Sequence, residues 1–359
     1  MGSHDELSCN SRPIGPDVKD RTGSGRSGWG GGGEDRGVEL EITCAFNSSA
    51  DSPEHARIAE QLGYTRAWFY DSPALYTDVW VQLCRAAERT ERIALGPGVL
   101  VPSLRHPMTT AAAIATLVDL AGPDRVMIGV GSGFTGRMTF GQRPLPWRFV
   151  ADYVRALKAL LRGDEVEWEG RPIKMMQWPG FGAPRPIEVP FVIAVGGPKG
   201  IAVAQELGDG VFAPAPIPGF GWSTLLAPGT VLDDGEDPGS ERALAAAGHA
   251  GALQMHGAFE FGAIDRLPNG REWLGAYDDV PVASRHLALH DGHMCGINDH
   301  DRPFVSGELL ARAGLALDRA GWRERLAKAA ENGATAIAYQ PAGPDIAREL
   351  EAFMAMARG

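Results

Sequence analysis

Cysteine is scarce in this chain, and its four cysteines show no paired spacing. Cys9, Cys44, Cys84 and Cys295 lie far apart, with no CxxC among them. This pattern argues against a disulfide framework and against a cysteine-ligated zinc motif. We therefore expect reduced thiols and a cytoplasmic location.

Long apolar runs and an excess of positive charge are also missing. No stretch approaches the roughly 18 consecutive apolar residues of a membrane span, and the N-terminus lacks the apolar run of a signal peptide. The net charge is −11. That acidic balance disfavours nucleic acid and anionic membrane surfaces as partners.

Glycine and proline are abundant instead. The chain has 47 glycines and 26 prolines among 359 residues, together with 44% hydrophobic residues. Such a composition indicates many tight turns between short elements, and it excludes a long coiled coil or a plain helical bundle. Residues 1–37 contain a run of glycine and serine with almost nothing to bury, so we expect a flexible N-terminal extension.

From residue 38 onward, strand and helix patterns alternate. Predicted strands cover residues 38–46, 65–70, 93–101, 125–130, 190–195, 211–213 and 335–340. Predicted helices cover residues 53–62, 77–92, 107–120, 150–162, 199–207 and 344–357. Repeated βα units imply a mostly parallel sheet, either doubly wound or closed into a barrel. Their number favours a TIM (β/α)8 barrel over residues 38–359, with a loop insertion around 214–300 in which the seventh strand is not placed.

Glycines end two of the predicted strands. The segment GSGFTG at 131–136 has the GxGxxG spacing, but Gly141, Pro144 and Pro146 interrupt the helix that a dinucleotide fold requires. Small residues there allow close backbone approach by a ring or phosphate, or simply form a turn with positive φ. Gly196 and Gly197 precede a predicted helix start, which is typical of a phosphate cradle with Lys199 as counter-charge.

Two groups of polar side chains each allow more than one interpretation. Arg105 and His106 follow the third strand, where they could act at a site or cap the helix that starts at Pro107. His286, His290 and His293 would share one face of a helix, so they could bind a metal, place one acid or base in a barrel mouth, or form a structural cluster. GxSxG and HExxH signatures are absent, so a metal-dependent hydrolase is only a remote alternative.

Several strand ends, taken in order, resemble one known superfamily. They are YDS at 70–72, GVLVPSLRHP at 98–107, DRVMIGVGSG at 124–133, VGGPKG at 195–200 and LGDGVF at 207–212. Together they resemble the bacterial luciferase-like superfamily of flavin-dependent monooxygenases and F420-dependent oxidoreductases. The resemblance implies a TIM barrel that holds reduced F420 or FMN at the C-terminal mouth of its strands.

The resemblance also implies roles for particular positions. Gly98 and Val99 match a strand bulge, often with a non-proline cis peptide, that supports the cofactor ring. The implied cofactor-binding residues are Asp71, Gly98, Val99, Leu100, Gly131, Ser132, Gly133, Gly196, Gly197, Pro198 and Lys199. The candidate catalytic residues are Ser72, His106 and His290, and no metal ligand is assigned.

Two departures from the family pattern affect the expected reaction. Ser72 and Phe134 stand where related F420-dependent dehydrogenases can carry a histidine and a carboxylate, so sugar-type dehydrogenation is disfavoured. Phe134 and Trp147 favour an apolar or aromatic substrate. We expect an enzyme that transfers hydride from reduced F420 to a small organic molecule, with an FMN-dependent monooxygenase as the alternative. Expected partners are a separate flavin or F420 reductase and a second copy of the chain in a homodimer.

Overall fold

The computed structural model describes residues 40–359. The predicted flexible extension at residues 1–37 lies outside the described residues. No helix within the described part is long and apolar enough to cross a membrane.

Eight parallel strands form the central sheet. They are β1 (Glu41–Phe46), β2 (Arg66–Phe69), β3 (Ala94–Pro97), β4 (Ile128–Val130), β5 (Phe191–Ala194), β6 (Gly210–Ala213), β7 (Trp222–Pro228) and β8 (Ala336–Gln340). Their order around the sheet is β3-β2-β1-β8-β7-β6-β5-β4. Parallel bridges Leu95–Val126 and Leu100–Val130 bring the two edges together. The predicted TIM barrel is therefore confirmed.

Helices follow most of these strands. They are α1 (Ser52–Leu62), α2 (Val79–Ala87), α3 (Pro107–Ala121), α4 (Trp147–Arg162), α5 (Pro198–Leu207), α6 (Glu241–Glu260), α7 (Arg319–Glu331) and α8 (Ile346–Arg358). Local signals explain several boundaries: a proline occupies the first turn of α1, α3 and α5, and the left-handed glycines Gly63 and Gly163 end α1 and α4.

The strand that the sequence pattern left unplaced is β7. It pairs in parallel with β6, and only the segment 214–221 connects the two, without a helix. The predicted insertion around 214–300 therefore has other limits. It begins after β7 and occupies residues 229–318, which we call the lid segment.

The lid segment has its own core, and its two ends pair with each other. Thr230–Val231 pairs with Ala316–Leu317. Between these short strands lie α6 and the helices Gly270–Gly275, Arg285–Leu289 and Gly307–Arg312. Trp273 and Tyr277 are fully buried in a cluster separate from the main core. The lid segment is thus a folded subdomain rather than a long loop.

The barrel interior is filled by side chains. Trp68 of β2 meets Phe212 of β6 edge-on, with ring centroids 5.1 Å apart. Ala45, Met127, Val192 and Ala338 belong to the same buried cluster. The barrel is therefore a packed core, and the space for a ligand lies at the ends of its strands.

Candidate active site at the barrel mouth

The residues predicted to bind a cofactor follow the carboxyl ends of β2, β3, β4 and β5. In a parallel barrel these ends open on the same face, where TIM-barrel enzymes carry their sites. The structure thus brings the predicted positions to one rim. Which of them contact a cofactor remains a prediction.

The buried Asp71 and the partly buried Arg105 form an ion pair on this rim. Arg105 Nη1 donates to both carboxylate oxygens of Asp71, at 2.8 and 2.7 Å. Its Nη2 donates to Asp78 at 2.9 Å, and Asp78 in turn caps α2. Burial raises the pKa of Asp71 above its usual value, although the guanidinium acts in the opposite direction. Arg105 thus joins the ends of β2 and β3 to the start of α2.

Gly98 and Val99 are joined by a cis peptide bond, as the resemblance implied. Close packing explains the glycines around it. A Cβ atom on Gly98 would lie 2.7 Å from Trp68 Cβ, and one on Gly131 would lie 2.7 Å from Val99 Cγ2. Leu100 N–H donates to the carbonyl of Gly129, which fixes the approach of the two strands. Close packing alone therefore explains why Gly98 and Gly131 have no side chain, whether or not a cofactor binds there.

The segment after β4 forms a short helix at Phe134–Met138. Gly133 precedes it with φ 80°, a left-handed conformation that favours glycine. Phe134 stacks on Phe261 at the end of α6, with ring centroids 5.6 Å apart. Both rings are exposed, by 37% and 77%. Trp147, also expected to favour an apolar substrate, packs instead against Gly200 of α5.

The start of α5 offers open backbone. A Cβ atom added to Gly196 or Gly197 would meet nothing within 4 Å. Gly197 precedes the first helical residue, Pro198, and Lys199 is exposed in the first turn. Free N–H groups and the positive end of the helix dipole coincide there, which is the arrangement that binds phosphates.

Of the two alternatives for His106, a site residue or a helix cap, the structure shows the helix cap. Its Nδ1 accepts from Met108 N–H at 3.1 Å at the start of α3, and its side chain is exposed. Ser72 is buried, and its carbonyl accepts from the N–H groups of Leu75 and Tyr76. A catalytic role for either residue stays a prediction.

The three predicted histidines do not share a helix face, which corrects that expectation. The helix Arg285–Leu289 ends early, and Gly292 and Met294 both have positive φ. His286 lies against Gly141 instead. His290 and His293 do meet, with their Nδ1 atoms 3.2 Å apart.

The third member of this cluster is His256 of α6, which the sequence analysis missed. One nitrogen from each of His256, His290 and His293 falls within 4.8 Å of the other two, and all three residues are buried. We call these three residues the lid histidines. The seven-residue spacing of His249 and His256 places them on one face of α6, but it does not indicate that His256 meets His290 and His293.

The lid histidines lie next to the rim. His293 Nε2 is 3.2 Å from Thr135 Oγ1, and Tyr76 Oη donates to the carbonyl of His293 at 2.8 Å. Burial lowers the pKa of His290 to about 4 and that of His293 to about 2. Both rings are therefore neutral at pH 7.

A buried carboxylate orients the remaining ring. Asp301 Oδ2 is 2.8 Å from His256 Nε2, and its Oδ1 accepts from Trp273 Nε1 and Tyr277 Oη. Burial acts to raise the pKa of Asp301, but these donors hold it below its usual value. Asp301 is thus an ionised acceptor that fixes His256.

The eight parallel strands and the helices that follow most of them place the chain in the class of TIM (β/α)8 barrel proteins. Residues 28–219 match the model of one such family, described as luciferase-like monooxygenase. The match covers more than half of the chain. The protein therefore belongs to the luciferase-like monooxygenase family, as the resemblance implied.

Several related sequences are named as F420-dependent dehydrogenases, and others as reductases. The chain is 31% identical over 255 residues to F420-dependent glucose-6-phosphate dehydrogenase of Beutenbergia cavernae, covering 57% of this chain and 74% of that protein. It is 32% identical over 171 residues to 5,10-methylenetetrahydromethanopterin reductase of Archaeoglobus fulgidus, covering 46% and 49%. The chain spans about half the length of this reductase and of similar ones.

Solved structures share the fold at low identity. The F420-dependent tetrahydromethanopterin reductase of Methanopyrus kandleri gives a TM-score of 0.60 at 18% identity, covering 88% of this chain and 98% of that one. The monooxygenase RslO1 of Streptomyces bottropensis gives 0.51 at 17% identity, covering 88% and 98%. These structures agree on the architecture alone.

Proposed function

We propose that the protein is an oxidoreductase that binds reduced F420 at the barrel mouth and reduces a small apolar or aromatic organic substrate. When bound, reduced F420 supplies a hydride from C5 of its ring. The observation that carries the proposal is the open backbone at Gly196 and Gly197, at the start of α5 on the same rim as the glycine-rich ends of β3 and β4. The F420-dependent dehydrogenases among the related sequences favour this cofactor.

The start of α5 fits the phosphate of such a cofactor. Nothing fills the space where Cβ atoms of Gly196 and Gly197 would stand. Lys199 would add a positive charge beside the free N–H groups, and no global positive charge is needed because the attraction is local. These residues would bind and orient the phosphate, and so fix the position of the ring along the rim.

The remaining rim residues would hold the ring and exclude water. Val99 and Leu100 would support one face, and Asp71, fixed by Arg105, would border its edge. The lid segment reaches the rim through Tyr76 and Thr135 and would cover the reacting atoms. Exclusion of water strengthens local electrostatic interactions and prevents side reactions.

Substrate preference is inferred from two exposed aromatic rings. Phe134 and Phe261 stack where the segment after β4 meets α6, and exposed aromatic pairs of this kind suit an apolar or aromatic partner. Ser72 stands at the position where related dehydrogenases can have a histidine. The protein would therefore not share the sugar-phosphate substrate named for its relative from Beutenbergia cavernae.

An FMN-dependent monooxygenase is the second candidate, because solved monooxygenases share this barrel. When bound, reduced FMN activates molecular oxygen for insertion into the substrate. The test is titration of the purified full chain with F420 and with FMN, each oxidised and reduced, followed by absorption spectra and thermal unfolding. A red-shifted deazaflavin band and a raised Tm with F420 alone would support the proposal. The same changes with FMN alone would favour the second candidate, and no change with either would refute both.

Two assembly proposals accompany the function. A homodimer and a separate F420 or flavin reductase would complete the system. Light scattering of the purified chain tests the first, since a monomer at micromolar concentration would refute it. Turnover with chemically reduced cofactor, compared with turnover in the presence of an added reductase, tests the second.

A further inference from the structure

We propose that the lid histidines His256, His290 and His293 bind one divalent transition-metal ion of the zinc class. Their nitrogens converge within 4.8 Å, and no residue of the cluster is more than 5% exposed. Imidazole nitrogen is a preferred ligand for zinc, and three histidines form a known kind of catalytic site that keeps one position open. This site is separate from the cofactor cradle and does not depend on the proposed reaction.

One ring nitrogen of His256 makes no hydrogen bond to the described residues. Asp301 Oδ2 lies 2.8 Å from His256 Nε2 and occupies that ring nitrogen, which leaves Nδ1 for another partner. His256 Nδ1 is buried and has no hydrogen-bond partner among the described residues. A buried polar nitrogen without a partner is unfavourable unless something binds it. A carboxylate behind a histidine is also the usual support of a metal-bound imidazole.

His290 and His293 already have the required spacing. Their Nδ1 atoms are 3.2 Å apart. Zn–N bonds of about 2.0–2.1 Å in a tetrahedral site place two ligand nitrogens about 3.3–3.4 Å apart. The two rings meet edge-on, and within the described residues no carboxylate hydrogen-bonds to either Nδ1 atom, so at most one N–H···N bond can form between them. An ion could replace that bond and draw in His256, which has a nitrogen within 4.8 Å of the other two ligand atoms.

The position of the site suggests what the open coordination position would take. His293 touches Thr135 after β4 and Tyr76 after β2, so the ion would lie where the lid segment meets the rim. The fourth ligand would be a water molecule or an oxygen atom of a bound substrate. The ion would also join α6 to the segment after Leu289, and so stabilise the fold of the lid segment.

The test is metal binding by the full chain without cofactor. After removal of metals with a chelator, we expect one equivalent of Co2+ to give the intense visible bands of a four-coordinate site, and Zn2+ to abolish them. One equivalent of Zn2+ should also raise the Tm. Weak bands typical of six-coordinate cobalt, or less than 0.1 equivalent bound by elemental analysis, would overturn the proposal.

Variants locate the ion. His256→Gln and His290→Gln should each abolish the cobalt bands, whereas His286→Gln, in the same segment but outside the cluster, should leave them unchanged. Asp301→Asn should weaken binding about 10–100-fold, the usual effect of losing an orienting carboxylate. Unchanged bands in both His256→Gln and His290→Gln would refute the site. If these variants fail to fold, the stoichiometry and spectrum of the unmodified protein still decide. Cofactor titrations are read separately, so the failure of one proposal leaves the other intact.

Discussion

Arg105 Nη1 donates hydrogen bonds to both carboxylate oxygens of Asp71, at 2.8 and 2.7 Å, and the Asp71 side chain is only 2% exposed. Such a pair is costly to break, because the remaining charge stays buried without a partner. We expect Arg105→Met to lower the free energy of unfolding by about 3–5 kcal/mol. Urea denaturation measures this change.

A double-mutant cycle separates the ion pair from simple packing. Asp71→Leu combined with Arg105→Met removes both charges, so the double variant should be more stable than Arg105→Met alone. Arg105→Lys should give an intermediate loss, since an ammonium cannot reach Asp71 and Asp78 together with the same geometry. A loss below about 1 kcal/mol in Arg105→Met, as for exposed pairs, would contradict this account.

The mouth of the barrel was largely predictable from the sequence, because strand ends in a parallel barrel meet on one face. Gly131, Gly196 and Gly197 could be placed there from pattern alone. The seventh strand could not, since β7 follows β6 after residues 214–221 with no helix between them. The alternation of strand and helix, which indicates the other βα units of the barrel, is interrupted at this point.

The lid histidines show a second limit of pattern reasoning. His290 and His293 lie close in sequence, but Gly292 turns the chain so that a helical projection misplaces His286. His256 is contributed by α6, more than thirty residues earlier. Contacts between distant elements depend on tertiary packing, and no local periodicity encodes them.

Gly197→Asp tests the phosphate cradle without disturbing the fold. Gly197 has extended backbone, with φ −176°, and a Cβ atom there would meet nothing within 4 Å. The variant should therefore keep the Tm of the unmodified protein. Its carboxylate would repel a phosphate and occupy its space, so affinity for F420 should fall at least 100-fold.

A matched control separates this effect from added charge. Gly221 also has open space around its Cβ position, but it precedes β7 at the opposite end of the barrel. Gly221→Asp should leave cofactor affinity unchanged. Equal affinities for Gly197→Asp and the unmodified protein in isothermal titration would place the phosphate elsewhere.

Gly131→Ala tests the close packing of β4 against the bulge after β3. The new methyl group would lie 2.7 Å from Val99 Cγ2 and 3.3 Å from Ala194 Cβ. Overpacking of this kind costs about 1–3 kcal/mol, which thermal or urea unfolding would detect. Val99→Ala frees the same space, so the double variant should recover most of the loss. Additive destabilisation of the two single changes would show that Val99 is not the obstacle.

His249 makes the stability of the lid segment depend on pH. It is buried in α6, both ring nitrogens lack partners among the described residues, and burial lowers its pKa to about 4. The unfolded chain has a histidine pKa of about 6.5, so it binds a proton more readily than the folded chain between these values. Stability is therefore complete above pH 6.5 and is lost as the pH falls toward 4, by about 2 kcal/mol at pH 5.

His249→Leu removes this titration and also two unpartnered polar atoms. We expect the fall in Tm between pH 7 and pH 5 to be smaller in this variant than in the unmodified protein, because an uncharged side chain adds no proton linkage. His106→Asn is the control, since His106 is exposed and asparagine can still cap α3. That variant should follow the pH profile of the unmodified protein. Parallel profiles for all three proteins would mean that His249 does not stay neutral and buried in the folded state.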